Sequence, residues 1–142
     1  MNGMEPEPEL PDAAAAEAKK AAGNLAFKAK KFKQAVALYG EAIVLDPRNP
    51  VYFCNRSTCY ANLGDWRASM NDASKTVELD SASVKGWSRL AKAHLSLYEV
   101  DETREALERG LALDGANKDL LKIKERLDEL VEPLIAPGSA EM

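Results

Sequence analysis

Residues 16–49, AEAKKAAGNLAFKAKKFKQAVALYGEAIVLDPRN, form the unit that decides the fold, because its pattern returns twice further along the chain. Leu45-Asp46-Pro47, Leu79-Asp80-Ser81 and Leu113-Asp114-Gly115 recur at a spacing of 34 residues. A period of this length over three copies is typical of solenoids built from helix pairs. The sequence therefore predicts three repeats without insertions, at residues 16–49, 50–83 and 84–117.

Each repeat places small, aromatic and helix-ending residues at fixed positions. In the first repeat the eighth, twentieth, twenty-fourth, twenty-seventh and thirty-second positions are Gly23, Ala35, Tyr39, Ala42 and Pro47. This spacing resembles that of the tetratricopeptide repeat, and the resemblance covers about 70% of the chain. Small side chains are needed where the two helices of a pair cross, because bulky ones would hold them apart. The resemblance implies an all-α, right-handed solenoid of three helix pairs.

The residues after the third repeat predict a capping helix at 117–131. An apolar stripe of Leu120, Ile123 or Lys124, Leu127 and Leu130 runs along an otherwise charged segment. A helix with one polar side closes the last apolar face of a solenoid. The predicted domain is therefore residues 13–132, flanked by flexible segments at 1–12, which is acidic and rich in proline, and at 133–142.

The composition is typical of one soluble domain and excludes several classes of protein. Hydrophobic residues make up 46% and charged residues 30% of the chain, and no span approaches the roughly 18 apolar residues of a membrane helix. No apolar signal core occurs near the start, and two cysteines make no disulfide framework. We therefore expect a cytoplasmic protein with no membrane association.

We expect no enzyme, no cofactor and no metal. The single histidine, His94, has no nucleophile or paired acid at a motif spacing. Cys54 and Cys59 are five residues apart on one predicted helix, about 140° around its axis, so they do not converge on a metal. No glycine-rich phosphate loop occurs in the sequence.

The charge pattern favours an acidic partner. Residues 13–132 carry 19 basic against 18 acidic side chains, and residues 17–40 carry six lysines against Glu17 alone. That basic stretch contains no arginine and few interleaved aromatic residues, so nucleic acid is not the expected ligand.

The first helices of the three pairs are expected to line a groove containing cations and amides. The four-residue spacing and the phase of the repeats place five polar residues on one face of these helices. They are Lys20, Asn24, Asn55, Lys85 and Arg89. Three cations and two amides in one cavity suit two carboxylates held close together. A chain terminus that ends in Asp offers such a pair, since its side-chain and terminal carboxylates are neighbours.

The local contexts of these five residues, Lys-Lys-Ala-Ala-Gly-Asn, Cys-Asn-Arg-Ser and Lys-Gly-Trp-Ser-Arg, resemble the carboxylate clamp of co-chaperone tetratricopeptide domains. The sequence looks most similar to the first such module of the chaperone-organising (stress-induced phosphoprotein) family. The resemblance implies that the groove binds the Glu-Glu-Val-Asp tails of the cytosolic 70-kDa and 90-kDa heat shock chaperones. We expect no acid beside the clamp cations. The possible groove walls are Phe27, which would contact the valine of the tail, Thr58, Asn62 and Lys92.

The preferred chaperone stays open, and two other functions remain possible. The domain could be a scaffold that binds an internal peptide of another partner, or the tetratricopeptide fragment of a larger enzyme. We expect a monomer.

Overall fold

The computed structural model describes residues 10–132, and this part of the chain is folded into seven α-helices without a β-strand. The predicted segments 1–12 and 133–142 lie outside the described residues, except for residues 10–12. The helices are α1 (Ala13–Lys28), α2 (Phe32–Leu45), α3 (Pro50–Asn62), α4 (Trp66–Leu79), α5 (Val84–Ser96), α6 (Val100–Leu113) and α7 (Lys118–Val131). The predicted all-α fold is confirmed.

Side-chain caps start five of the seven helices. Asp12, Asn49, Asp65, Ser83 and Asn117 each accept a hydrogen bond from a backbone N–H in the first turn. This satisfies a donor that the helix cannot pair internally. Asn49 precedes Pro50 at the first helical position, where a missing N–H costs nothing.

The turn inside each helix pair has the same backbone conformation in all three repeats. Lys30, Gly64 and Tyr98 have φ values of 60°, 77° and 60°, and they lie 34 residues apart. The N–H of each next residue donates to a carbonyl five residues earlier, as Lys31 does to Ala26. This is the C-terminal capping arrangement that favours glycine at the left-handed position. Two of the three turns therefore form without the glycine that would signal them.

Close crossing of α1 and α2 requires the small residues that the repeat pattern predicts. A Cβ atom added at Gly23 would lie 2.7 Å from the Cε1 atom of Tyr39, which is closer than packed carbon atoms approach. Ala35 and Ala42, on the facing side of α2, are completely buried.

Each helix packs mainly on its neighbours along the chain, which gives a helical solenoid. The largest core cluster lies between α4 and α7, where Leu120, Ile123 and Leu127 of α7 are buried. Ile123, not Lys124, therefore belongs to the apolar stripe. Leu130 was also expected there, but it is 40% exposed because it lies at the edge of a cleft between α5 and α7. Among residues 10–132, no helix is both long and apolar enough to cross a membrane.

Candidate functional site

The predicted site residues lie on α1, α3 and α5, the first helices of the three pairs. α3 packs directly against α5, and a hydrogen bond joins the two helices, because Nε of Arg89 donates to Oγ1 of Thr58 over 2.9 Å. Arg89 is half-buried, so this bond fixes the guanidinium group while leaving its remaining donors for a ligand.

A tyrosine of α2 orients the amide of Asn24. The Tyr39 hydroxyl donates to Oδ1 of Asn24 over 2.6 Å, and Tyr39 is almost fully buried. Burial raises the pKa of Tyr39 to about 12, so the hydroxyl remains a neutral donor at any physiological pH. Because Oδ1 accepts this bond, the amide NH₂ of Asn24 is left to donate to a bound carboxylate.

Lys20 has an acid beside it, so the expectation that no acid lies next to the clamp cations is wrong at this position. Its Nζ lies 3.0 Å from Oε1 of Glu17, three residues earlier on the same helix face. The Tyr52 hydroxyl donates to the other carboxylate oxygen of Glu17 over 2.5 Å. This hydrogen bond, and then the Lys20 ammonium, lower the pKa of Glu17. A ligand carboxylate that approaches Lys20 therefore meets a fixed negative charge.

Lys85 and Arg89 place positive charge against α3. Burial raises the pKa of the Cys54 thiol, and the charges of Arg89 and Lys85 act in the opposite direction. Cys54 directly precedes Asn55 on α3. Asn55 itself is half-buried on α3, and Lys85 is exposed.

The expected wall residues have different surroundings. Phe27 is half-buried and packs edge to face on Phe32, with the ring centroids 5.5 Å apart. Thr58 bonds to Arg89, and the amide of exposed Asn62 donates to the Thr58 carbonyl over 2.9 Å. Lys92 lies beyond them, at a cleft between α5 and α7.

This cleft has a volume of about 760 Å³ and includes residues that the sequence analysis missed. Lys122 and Arg126, on the polar side of the capping helix α7, line the cleft together with Arg89 and Lys92. A signal for it exists in the sequence. Asp119, Lys122, Arg126 and Glu129 follow one another at helical spacing beside the apolar stripe.

The histidine and cysteine side chains considered for catalysis or metal binding are part of a turn or of the buried core. His94 Nδ1 lies 3.0 Å from Oε1 of Glu99 at the turn between α5 and α6. Cys54 and Cys59 are free, buried thiols. Within the described part of the chain, no three His, Cys, Asp or Glu side chains are grouped closely enough to hold a metal ion.

Among known proteins, the chain is similar to modules of heat shock co-chaperones. It is 43% identical over 106 residues to the heat shock protein sti1 homolog of Schizosaccharomyces pombe, covering 75% of this chain. It is 44% identical over 101 residues to the Hsp70-Hsp90 organizing protein of Triticum aestivum, covering 71% of this chain. The matched region spans 18% and 17% of the lengths of these two relatives. No protein-family model matches the sequence.

Solved structures share the fold over most of the chain. The tetratricopeptide (TPR) domain of Arabidopsis OM64 is 32% identical with a TM-score of 0.79, covering 82% of this chain and 97% of that domain. The first TPR domain of Spaghetti (RPAP3), bound to the HSP90 peptide SRMEEVD, is 27% identical with a TM-score of 0.83. That match covers 86% of this chain and 97% of the domain.

Proposed function

This chain belongs to the tetratricopeptide repeat family, and from that premise we propose that it is a co-chaperone adaptor without catalytic activity. Its groove binds the C-terminal Glu-Glu-Val-Asp tail of the 70-kDa and 90-kDa heat shock chaperones in the cytoplasm. Support comes from the relatives, which are named as a heat shock protein sti1 homolog and an Hsp70-Hsp90 organizing protein, and from a domain of the same fold that holds a peptide ending in EEVD. We propose that the protein acts as a monomer.

The observation that carries this proposal is the hydrogen bond between α5 and α3 at Arg89. Nε of Arg89 donates to Oγ1 of Thr58, three residues after Asn55 on α3, and the hydrogen bond from Tyr39 orients the amide of Asn24. Ammonium, guanidinium and amide donors together match the side-chain and terminal carboxylates of a C-terminal Asp. Lys20 completes the five-residue clamp.

We expect a Kd near micromolar, which corresponds to a binding free energy of about −8 kcal/mol. The contacts of two carboxylates and a few side chains favour binding, and the cost of ordering a flexible tail offsets much of their contact energy. Phe27 supplies an apolar wall for the valine of the tail. A Phe27→Ala variant should lose affinity for peptides that contain this valine and not for those that lack it.

The test is calorimetric titration with a peptide ending in Met-Glu-Glu-Val-Asp, beside the same peptide with an amidated C-terminus. Only the free acid should bind. Lys85→Ala and Arg89→Ala should each weaken binding by about 2 kcal/mol, because charge-assisted hydrogen bonds are lost. Lys75→Ala, which removes an exposed cation of α4 paired with Glu78, is the matched control and should bind as the parent does.

The opposite results would identify the other functions. Equal binding of the free acid and the amide would indicate a scaffold for an internal peptide. Full binding by Lys85→Ala would contradict the clamp. A reading frame that continues into a catalytic domain would make this chain the adaptor part of a larger enzyme.

A further inference from the structure

The hydroxyl group of Thr58 is held by the helix on which it lies. Its Oγ1 atom donates to the carbonyl of Cys54, four residues earlier on α3, over 3.2 Å. A threonine hydroxyl carries one proton and two lone pairs, so this bond uses its only donor. The bond also fixes the rotation about χ1, which the branched Cβ already restricts in a helix. Thr58 can therefore accept a hydrogen bond from a neighbour, but it cannot donate one to a bound carboxylate.

One of the two edges of the Arg89 guanidinium is occupied by Thr58. Nε of Arg89 donates to Oγ1 of Thr58 over 2.9 Å. A guanidinium can hold both oxygens of a carboxylate in parallel hydrogen bonds, either from Nε and one Nη atom or from its two Nη atoms. The bond to Thr58 removes the first arrangement and leaves the second.

The edge formed by the two Nη atoms of Arg89 is available to a ligand. Within residues 10–132, Arg89 forms no salt bridge and no side-chain hydrogen bond other than the one to Thr58. Its side chain also lines the open cleft between α5 and α7, so the fold does not enclose it. An arginine with a fixed Nε has lost part of its conformational freedom before a ligand arrives, which lowers the entropic cost of binding.

We propose that Thr58 is a positioning residue of the clamp, which holds Arg89 so that the bound carboxylate meets only its two Nη atoms. This inference rests on the proposed function. Thr58 then acts through Arg89 and is not a groove wall that touches the peptide. It also joins the second repeat to the third, because Asn55 lies three residues before Thr58 on α3, and Arg89 lies on α5.

Two substitutions of Thr58 separate the effect of its hydroxyl from that of its shape. Thr58→Val keeps the branched side chain but removes the acceptor, so it should weaken binding of the peptide ending in Met-Glu-Glu-Val-Asp about fivefold. Thr58→Ser keeps the hydroxyl and should bind within about twofold of the parent protein. Calorimetric titration measures both affinities. Equal affinity of the parent protein and Thr58→Val would overturn the inference.

Double substitutions show whether Thr58 acts through Arg89. In an Arg89→Ala background, Thr58→Val should change the affinity by less than about 1.5-fold, because the group that Thr58 positions is gone. In a Lys85→Ala background the same substitution should still weaken binding about fivefold, since Thr58 is bonded to Arg89 and not to Lys85. Losses of equal size in the two backgrounds would show that Thr58 does not act through Arg89, and they would overturn the inference.

The Nε–H proton of Arg89 reports the bond to Thr58 without any substitution. Its nuclear magnetic resonance signal should exchange slowly with water in the free protein and should move little when the free-acid peptide binds, whereas the Nη signals should shift. A large shift of the Nε–H signal on binding would show that the carboxylate takes this edge, and it would overturn the inference. Failure of the parent protein to bind any Glu-Glu-Val-Asp peptide would contradict the proposed function itself, whereas peptide binding without these effects would contradict only the role of Thr58.

Discussion

The orientation of Asn24 depends on a residue of another helix. The spacing of Lys20 and Asn24 on one helix face is visible in the sequence, and so is the aromatic position occupied by Tyr39. The hydrogen bond between Tyr39 and Asn24 is not, because it depends on how closely α1 and α2 approach. Sequence periodicity thus predicts the members of the candidate site, and packing decides which of their donors are free.

Tyr39→Phe should weaken binding of the free-acid peptide about fivefold, because the Asn24 amide loses the partner that orients it. It should also lower the free energy of unfolding by about 1 kcal/mol through the lost hydrogen bond. Calorimetric titration and denaturant unfolding measure the two effects. Tyr60→Phe is the control, since Tyr60 packs under Arg56 through its ring, and it should leave peptide affinity unchanged.

We expect Glu17 to make the proposed clamp bind less tightly than its cations alone would. Its carboxylate lies 3.0 Å from Nζ of Lys20 and is fixed by Tyr52. The spacing of Glu17 and Lys20 at positions i and i+3 is visible in the sequence and is typical of an ion pair on one helix face.

Glu17→Gln should therefore increase affinity for the free-acid peptide about threefold, because it removes a like charge near the bound carboxylates. The Gln side chain can still accept from the Tyr52 hydroxyl, so the fold is kept. Titration at low and high salt should show the gain shrinking as salt screens the repulsion. Weaker binding by Glu17→Gln would show that Glu17 positions Lys20 instead.

At the scale of elements, the turns inside the helix pairs are poorly encoded by residue type. Gly64 predicts the second turn, because glycine is typical of left-handed positions. Lys30 and Tyr98 occupy the equivalent positions of the other two turns without such a signal. Helix existence was predictable from the 34-residue period, and the backbone of these turns was not. The antiparallel packing of the two helices in each pair fixes the geometry of the turn. The backbone of a residue other than glycine at this position is therefore strained.

Lys30→Gly should raise the free energy of unfolding by about 1 kcal/mol. Glycine has no Cβ, so it adopts a φ of 60° without the clash that the Cβ of Lys30 makes with the backbone. Chemical denaturation measures the change. Lys75→Gly, in the middle of α4, should instead lose about 1 kcal/mol, since glycine is a poor helix former there. A loss of stability in Lys30→Gly would contradict strain at this turn.

The crossing of α1 and α2 depends on one missing side chain. Gly23→Ala should lower the free energy of unfolding by about 2 kcal/mol, because its Cβ would lie 2.7 Å from the buried ring of Tyr39. Thermal unfolding followed by circular dichroism measures the loss. Gly40→Ala is the matched control on α2, where an added Cβ would lie 3.5 Å from an Arg56 side-chain nitrogen, and it should be neutral or stabilising.

At the scale of the molecule, the capping helix has two faces with different tasks. Leu120 and Ile123 cover the last apolar surface of the solenoid, as the sequence predicts. The flank with Lys122 and Arg126 borders the α5–α7 cleft. Periodicity in the sequence identifies the apolar face, but it cannot show that the adjacent charges face a cleft, since that depends on the angle at which α7 crosses α5.

Because contacts run between neighbouring helices, damage at α7 should spread through the core cluster that α4 to α7 share and should not reach α1 and α2. Leu120 is fully buried and lies where a Cβ on Gly110 would meet it, so Leu120→Ala should lower stability by about 3 kcal/mol. Hydrogen exchange should show protection falling in α5, α6 and α7 while α1 and α2 keep theirs. Peptide affinity should fall as well, since Lys85 and Arg89 belong to α5.

The control is Leu121→Ala, on the exposed side of α7, which should leave stability, hydrogen-exchange protection and peptide affinity unchanged. An equal loss of protection in all seven helices would show that the solenoid unfolds as one unit.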